Sequence, residues 1–501
     1  MWVPRSSGVL LHPTSLPGGY GIGDLEAGYT LIDWLAAAGQ RWWQVMPLNP
    51  TGYGDSPYQS FSAFAGNPYL IGLGSLLRGG LLTPQDLSEA QEQLPGRVDF
   101  GWLYGFKPKV LRLAHSRFQK SASPSQRERL ARFQGSHGSW LPDFALFMAI
   151  KAAQGGKSWQ DWPSQLRLRD PQALDAARSE LAEAISATCF EQYLFSEQWS
   201  DLKAYARDRK IGVIGDLPIF VAMDSADAWA HPENFLLDPE GQPTAVAGVP
   251  PDYFSADGQL WGNPLYDWER ARRSGYRWWT ERFRSLLGLY DIIRVDHFRG
   301  FEAYWEVPAG AQTAAQGRWV PGPGRALFER VQAELGRLPI IAEDLGVITP
   351  GVAALRDALG FPGMAVLQFA FGGDPENPYL PPHIGPNRVV YTGTHDNDTT
   401  SGWYRGLGSS ERAQLARYCP GVSLATASWS LVELAWRSAA TLAIAPVQDL
   451  LDLGSEARMN TPGLLSPRNW SWRLEQTLSS ALASRLRALT GASNRLDGGA
   501  A

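Results

Sequence analysis

Eight short apolar runs, most of them closing on a polar or charged residue, constrain this chain more than any other feature. They cover residues 8–11 before His12, 43–48, 212–214 before Asp216, 291–295 before Asp296 and 339–342 before Glu343. The remaining three are 364–369, which contains Gln368, 388–391 before His395, and 442–446 before Gln448 and Asp449. Helical periodicity accompanies several of them, at 276–289 and 349–359 for example. Strands alternating with helices imply a parallel sheet, and eight such strands imply an α/β protein closed into a (β/α)8 barrel. In such a barrel the C-terminal strand ends meet on one face, where active sites sit.

A barrel of this kind takes about 250 residues, so a chain of 501 carries a large surplus. Between the second and third runs, 84–94, 107–119, 126–133, 142–153 and 171–199 read as helices. The expectation is one catalytic domain over 1–501 with a mainly helical insertion at about 65–200. A second insertion, at about 220–272, is rich in Pro, Gly, Asp and aromatics and reads as irregular and lid-bearing; long loops of that kind are usually functional. The formal charge of −5 describes no polyanion-binding surface, so nucleic acid is not an expected partner. Cys189 and Cys419 are too far apart and too few for a disulfide scaffold, and no apolar run reaches membrane-spanning length. Residues 1–11 lack the apolar core of a signal peptide, and the expected location is the cytoplasm, away from membranes.

The chemistry is concentrated at three run ends. Asp291-Ile292-Ile293-Arg294-Val295-Asp296-His297 passes from apolar to charged within four residues. With period-2 alternation Arg294 and Asp296 point the same way into the barrel, where the cation favours an ionised, nucleophilic Asp296. Glu343 follows an apolar stretch, a setting that raises a carboxyl pKa toward that of a general acid. Asp396, beside His395, is placed to stabilise positive charge in a transition state. Paired carboxylates on one barrel face suit the cleavage of acetal bonds. The competing reading is that these charges close salt bridges around the barrel rim. The chain's 21 Trp residues are open to two readings as well, core packing or flat platforms for sugar rings. The histidines show no metal spacing, the Gly-rich stretch 18–23 lacks a dinucleotide register, and neither a Walker motif nor a G-x-S-x-G elbow occurs. No metal and no cofactor are expected.

Several motifs together resemble the amylomaltases, the 4-α-glucanotransferases related to α-amylases. They include Leu11-His12-Pro13-Thr14-Ser15-Leu16-Pro17, Gly52-Tyr53-Gly54-Asp55-Ser56-Pro57-Tyr58, Gly215-Asp216-Leu217-Pro218 and Trp261-Gly262-Asn263-Pro264. Further on come Arg294-Val295-Asp296-His297, Ala342-Glu343-Asp344-Leu345-Gly346, Thr394-His395-Asp396-Asn397-Asp398 and Arg458-Met459-Asn460-Thr461-Pro462-Gly463. The resemblance implies Asp296 as nucleophile, Glu343 as general acid/base and Asp396 as transition-state stabiliser. It implies that Arg294, His395 and Asp216 line the subsite of the attacked glucose. Asp252, Tyr253 and Phe254, with Trp261 behind them, match an aromatic lid, while Tyr53, Ser56, Tyr58 and Asn460 match further sugar-binding positions.

Three functions are therefore weighed. The first is transfer of an α-1,4-glucanosyl segment to another sugar's 4-hydroxyl through a covalent glycosyl-enzyme. The second is hydrolysis by the same residues, and the third is non-catalytic binding of α-glucans. A binding module has no use for a nucleophile, and the resemblance favours transfer over hydrolysis.

Overall fold

The computed structural model describes residues 3–92, 96–251 and 257–496. Twelve strands occur among the described residues: β1 (Ser6–Leu10), β2 (Trp42–Gln44), β3 (Gly212–Leu217), β4 (Ala245–Val249), β5 (Gln259–Pro264) and β6 (Ile292–Val295). They continue with β7 (Ala303–Pro308), β8 (Arg318–Pro321), β9 (Ile340–Ala342), β10 (Gly363–Val366), β11 (Arg388–Tyr391) and β12 (Leu442–Pro446). Eight of them close a parallel barrel in the order β1-β12-β11-β10-β9-β6-β3-β2, one for each apolar run. The run at 43–48 keeps ladder pairing only to Gln44, and the run at 364–369 ends in a 3-10 turn, Leu367–Phe369.

Alternation along each barrel strand separates two cores. Ile214, Ile292, Ile341, Met364, Tyr391 and Ile444 fill the interior. Their neighbours Val213, Ile293, Val295 and Ile340 face the surrounding helices. Filling the lumen makes the barrel a packed platform rather than a pore. Truncating one of these side chains, Ile292→Ala for example, should cost about 2–5 kcal/mol. The tryptophans serve this packing heavily: Trp43, Trp159, Trp229, Trp279 and Trp436 are among the largest fully buried side chains.

Between β2 and β3 the helices Phe100–Ser121, Pro124–Ser136, Leu141–Ala153, Pro171–Glu180 and Ala182–Asp208 pack together. Local chemistry sets their starts: Asp99 accepts the N–H of Trp102 at 3.0 Å, and Ser123 with Gln126 forms a reciprocal capping box. The stretch 171–199 is not one helix as its periodicity suggests, because the chain breaks at Leu181. The segment read as irregular also differs from expectation. It supplies β4 and β5, which join β7 and β8 in an antiparallel sheet of order β5-β4-β7-β8. That sheet is assembled from the segments following β3 and β6, beside the barrel's C-terminal mouth.

Candidate active site

At the end of β6 the inward parity set by Ile292 continues through Arg294 to Asp296. Arg294 is buried and pairs in register with Asp216 on β3. Its guanidinium lies 2.6 Å from Asp216 Oδ2 and 3.0 Å from Asp296 Oδ1. One cation therefore serves two carboxylates. Asp216 Oδ2 also accepts the Tyr58 hydroxyl at 2.8 Å, while its Oδ1 is buried without a partner among the described residues. Asp296 keeps 29% of its side chain exposed, open to the cleft. Beneath this layer the Tyr391 hydroxyl bonds Gln44 Oε1 at 2.9 Å, tying β11 to β2.

Glu343 follows β9, where its backbone N–H continues the ladder to Val295 O at 3.0 Å. Its carboxylate accepts the N–H of His297 at 2.7 Å and of Leu345 at 2.9 Å. Burial raises the Glu343 pKa, with Arg294 and these two N–H groups opposing. Burial also pushes Asp296 well above the usual carboxylate range; Arg294 opposes this, and Asp216, Glu343 and Asp396 add to it. Of Asp296 and Glu343, Asp296 has the direct ion pair to Arg294, which favours its ionised form.

Asp344 has the opposite parity and a different fate. It is buried on the outer side, where it accepts the N–H of Met364 at 2.7 Å and ion-pairs with Arg388 at 2.8 Å and with Arg356. A Cβ at Gly363 would stand 2.4 Å from Asp344 Oδ2, so this close approach needs glycine there. For Asp344 the salt-bridge reading is the right one.

Beyond β11, Asp396 Oδ1 accepts the Asn460 amide at 2.6 Å, and Arg458 bonds the Asp396 carbonyl at 2.6 Å. His395 Nε2 lies 3.5 Å from the same carboxylate oxygen. Its ring stacks on Tyr58 with centroids 5.1 Å apart and 15° between planes. Burial lowers the His395 pKa, with Asp396 opposing, which favours the neutral ring. Asp449 anchors the loop from below by accepting Thr392 Oγ1 at 2.6 Å and Thr400 N at 2.7 Å.

The remaining expected residues divide. Tyr58 lies in the cluster, and Ser56 Oγ accepts its N–H at 3.2 Å, so Ser56 shapes the turn that delivers it. Trp261 meets His297 edge to face at 4.9 Å. Tyr53 is 75% exposed on a neighbouring turn and is not brought into the carboxylate cluster by any contact among the described residues. Asp252, Tyr253 and Phe254 lie outside the described residues. Three residues were not singled out from sequence. Trp470 packs on Tyr58 at 5.7 Å and His395 at 6.0 Å, and nothing in its local pattern signals this. Arg458 stands in a quoted motif without an assigned part. His12 closes the first barrel strand, is buried with an unpartnered Nδ1, and burial lowers its pKa to about 3.

A closed parallel barrel with carboxylates past the ends of β6, β9 and β11 suits the cleavage of acetal bonds. Comparison with known proteins narrows the class. A sequence model described as 4-alpha-glucanotransferase matches residues 11–479. The 4-alpha-glucanotransferase of Thermus thermophilus is 54% identical over 99% of this chain and 100% of its own length. That of a Synechocystis strain is 50% identical over 94% of each chain. The amylomaltase of Streptococcus agalactiae, solved in complex with acarbose, superposes with a TM-score of 0.95 at 39% identity, covering 98% of this chain and 100% of that one. The chain belongs to the 4-α-glucanotransferase family, the amylomaltases, and is an enzyme that transfers glucan segments.

Proposed function

We propose that Asp296, Glu343 and Asp396 carry a retaining double displacement that moves an α-1,4-glucanosyl segment to the 4-hydroxyl of another glucan or of glucose. An oxygen of Asp296 attacks the anomeric carbon while the glycosidic C–O bond breaks, and the Glu343 proton goes to the departing oxygen. In the second half Glu343 takes the proton of the acceptor hydroxyl, whose oxygen displaces Asp296 from the anomeric carbon. Asp396, oriented by Asn460, faces the positive charge of the oxocarbenium-like transition state. Arg294, Asp216, neutral His395 and Tyr58 line the subsite of the attacked glucose, and Trp261 walls its far side. Tyr53 belongs to a more distant part of the glucan path.

The observation that supports this assignment best is the asymmetry between two linked carboxyls. Asp296 has a guanidinium at 3.0 Å, whereas the bonds Glu343 accepts among the described residues come from backbone N–H groups. The acarbose held by the Streptococcus agalactiae amylomaltase supports α-glucans as ligands of this cleft. We also assign 1–501 to one catalytic domain with insertions at about 65–200 and 220–272. The unpaired thiols of Cys189 and Cys419 support a reducing cytoplasm.

The test uses α-glucosyl fluoride, whose fluoride leaves with little acid assistance. Mass spectrometry should find a trapped glycosyl-enzyme in Glu343→Gln and none in Asp296→Asn. Equal labelling of both variants would refute the roles. On maltotriose the wild-type enzyme should give glucose plus a ladder of longer glucans; glucose and maltose alone would mean that water is the acceptor.

A further inference from the structure

A cavity of about 530 Å³ opens where the helical segment before β3 meets the segment after it. None of its lining residues belongs to the catalytic cleft described above. Arg167, Leu168 and Arg169 form one wall, and Glu233, Asp238 and Arg270 lie among the residues opposite. The fold holds both walls in place. Arg169 stacks its guanidinium on Trp229 at 4.3 Å and pairs with Asp143 at 2.7 Å. Asp238 Oδ1 accepts the N–H groups of Glu240 and Gln242 at 3.0 and 2.8 Å, and Asp267 caps the helix Trp268–Arg273.

The chemistry left facing the cavity is mixed. Three guanidinium groups, of Arg167, Arg169 and Arg270, stand against three carboxylates, of Glu233, Asp238 and Asp267. That balance disfavours a phosphate or any polyanion, which would meet as much repulsion as attraction. Arg167 is bonded only through Nη1 to the Gln160 carbonyl at 3.3 Å, and Arg270 has no ion pair within 4.0 Å among the described residues, so both retain donors. Apolar surface lies between the charges, from Pro232, Pro239 and Leu168, the last 51% exposed. Alternating donors, acceptors and apolar patches match the vicinal hydroxyls and C–H faces of a pyranose chain better than a charged metabolite.

We propose that this cavity is a second α-1,4-glucan site, remote from the reacting bond, that tethers long substrates to the enzyme. The inference rests on α-glucan being the substrate of the cleft. Cavity and cleft are joined through one segment: Phe235 of the cavity packs on Tyr266 at 5.2 Å, whose hydroxyl bonds the carbonyl of Ile219, three residues past Asp216. Both therefore belong to the end of the barrel where β3 terminates. A chain that spans them meets its second site at high effective concentration, and the gain vanishes for sugars too short to span.

The double variant Arg167→Ala/Arg270→Ala tests this in the full-length enzyme. Its kcat and KM for maltotriose should equal wild type, while KM for long-chain amylose rises about tenfold. Leu168→Ala, at an exposed position that tolerates change, should raise the amylose KM by about threefold with maltotriose again unaffected. Calorimetry of maltoheptaose on Asp296→Asn should show two classes of site, one of them lost when the two arginines are also replaced. Unchanged amylose KM in both variants, with normal maltotriose kinetics, overturns the proposal. So does arginine-dependent binding of inorganic phosphate without a second maltoheptaose class, which would make the cavity an anion site. Failure of the wild-type enzyme to disproportionate maltotriose would instead overturn the substrate reading, and the tether with it.

Discussion

Two buried clusters of carboxylate and guanidinium stand on neighbouring barrel strands and are built on opposite arithmetic. Inside the mouth, Arg294 is the one guanidinium shared by Asp216 and Asp296, the Tyr58 hydroxyl adds a bond to Asp216 Oδ2, and among the described residues Asp216 Oδ1 is left without a partner. Outside the barrel, Asp344 is served by Arg356, Arg388 and the Met364 N–H, with Arg356 also bonded to Asp357. Among the described residues the first cluster has too few donors for its acceptors, and burial is the chief cause that raises the pKa of Asp296 and of its neighbour Glu343. The second is saturated. A site meant to receive charge and hydroxyl groups keeps valences open, whereas a strut closes all of them. The same residue type therefore faces the open cleft at one position and closes a strut at another, and sequence parity along one strand end separates the two.

The same substitution made in both clusters would break or sharpen this contrast. Asp296→Asn should lower kcat on maltotriose by about 10⁴-fold or more, because the amide cannot serve as an anionic nucleophile. Its melting temperature should hold or rise, since the change relieves crowding among carboxylates at a site shaped for function. Asp344→Asn should do the reverse. It removes the buried carboxylate shared by Arg356 and Arg388, of which Arg356 keeps only Asp357, and with Arg356 10% and Arg388 28% exposed the cost should be about 3 kcal/mol of stability. Turnover by the folded enzyme should stay within about twofold of wild type. Chemical denaturation and steady-state kinetics on both variants decide the matter: equal stability losses would erase the distinction.

Much of this was legible in the sequence, for a physical reason. A barrel strand is buried on both faces, so it appears as a short apolar run, and its first inward polar residue marks the mouth. That logic found all eight strands as well as Asp216, Asp296 and Glu343. It did not find β4 or β5, because Ala245-Val246-Ala247-Gly248-Val249 carries neither alternation nor bulk and its partner β7 lies more than fifty residues away. Nor did it separate Pro171–Glu180 from Ala182–Asp208, since helical periodicity runs through Leu181 with no Gly or Pro to mark the break. Trp470 was illegible for another reason. Its contacts with Tyr58 and His395 span long stretches of chain and leave no local trace. The placement of Tyr58 and Asn460 came from resemblance to a family rather than from periodicity.

A smaller effect is expected where the open cluster meets its support. Asn460 donates to Asp396 Oδ1 at 2.6 Å, but the carboxylate is 44% exposed, so water can replace part of this bond. A hydrogen bond to a charged group contributes about 1.5–3 kcal/mol when fully buried. For Asn460→Ala a loss of about tenfold in kcat is expected, with KM for maltotriose little changed, because the bond orients a group needed mainly in the transition state. A rise in KM at constant kcat would show that Asn460 binds sugar rather than positioning Asp396.

The mildest test concerns histidines that the open cluster keeps neutral. Burial holds His12 and His297 at about 3, and His395 is lowered by the same cause. In the unfolded chain each of these imidazoles takes up a proton below about pH 6.5. The folded protein refuses that proton until about pH 3 for His12, so between these limits the unfolded state binds one more proton and acid favours unfolding. His12 and His297 should each remove about 1.4 kcal/mol of stability per pH unit of acidification inside that window. His12→Gln deletes one titration without adding charge. Wild type and variant should therefore show the same pH slope of unfolding free energy above pH 7, and between pH 6 and pH 4 the variant's slope should be shallower by about 1.4 kcal/mol per unit. Parallel slopes throughout would mean that His12 is charged in the folded enzyme, which would set a cation beside His395 and undo the account of a cluster short of donors.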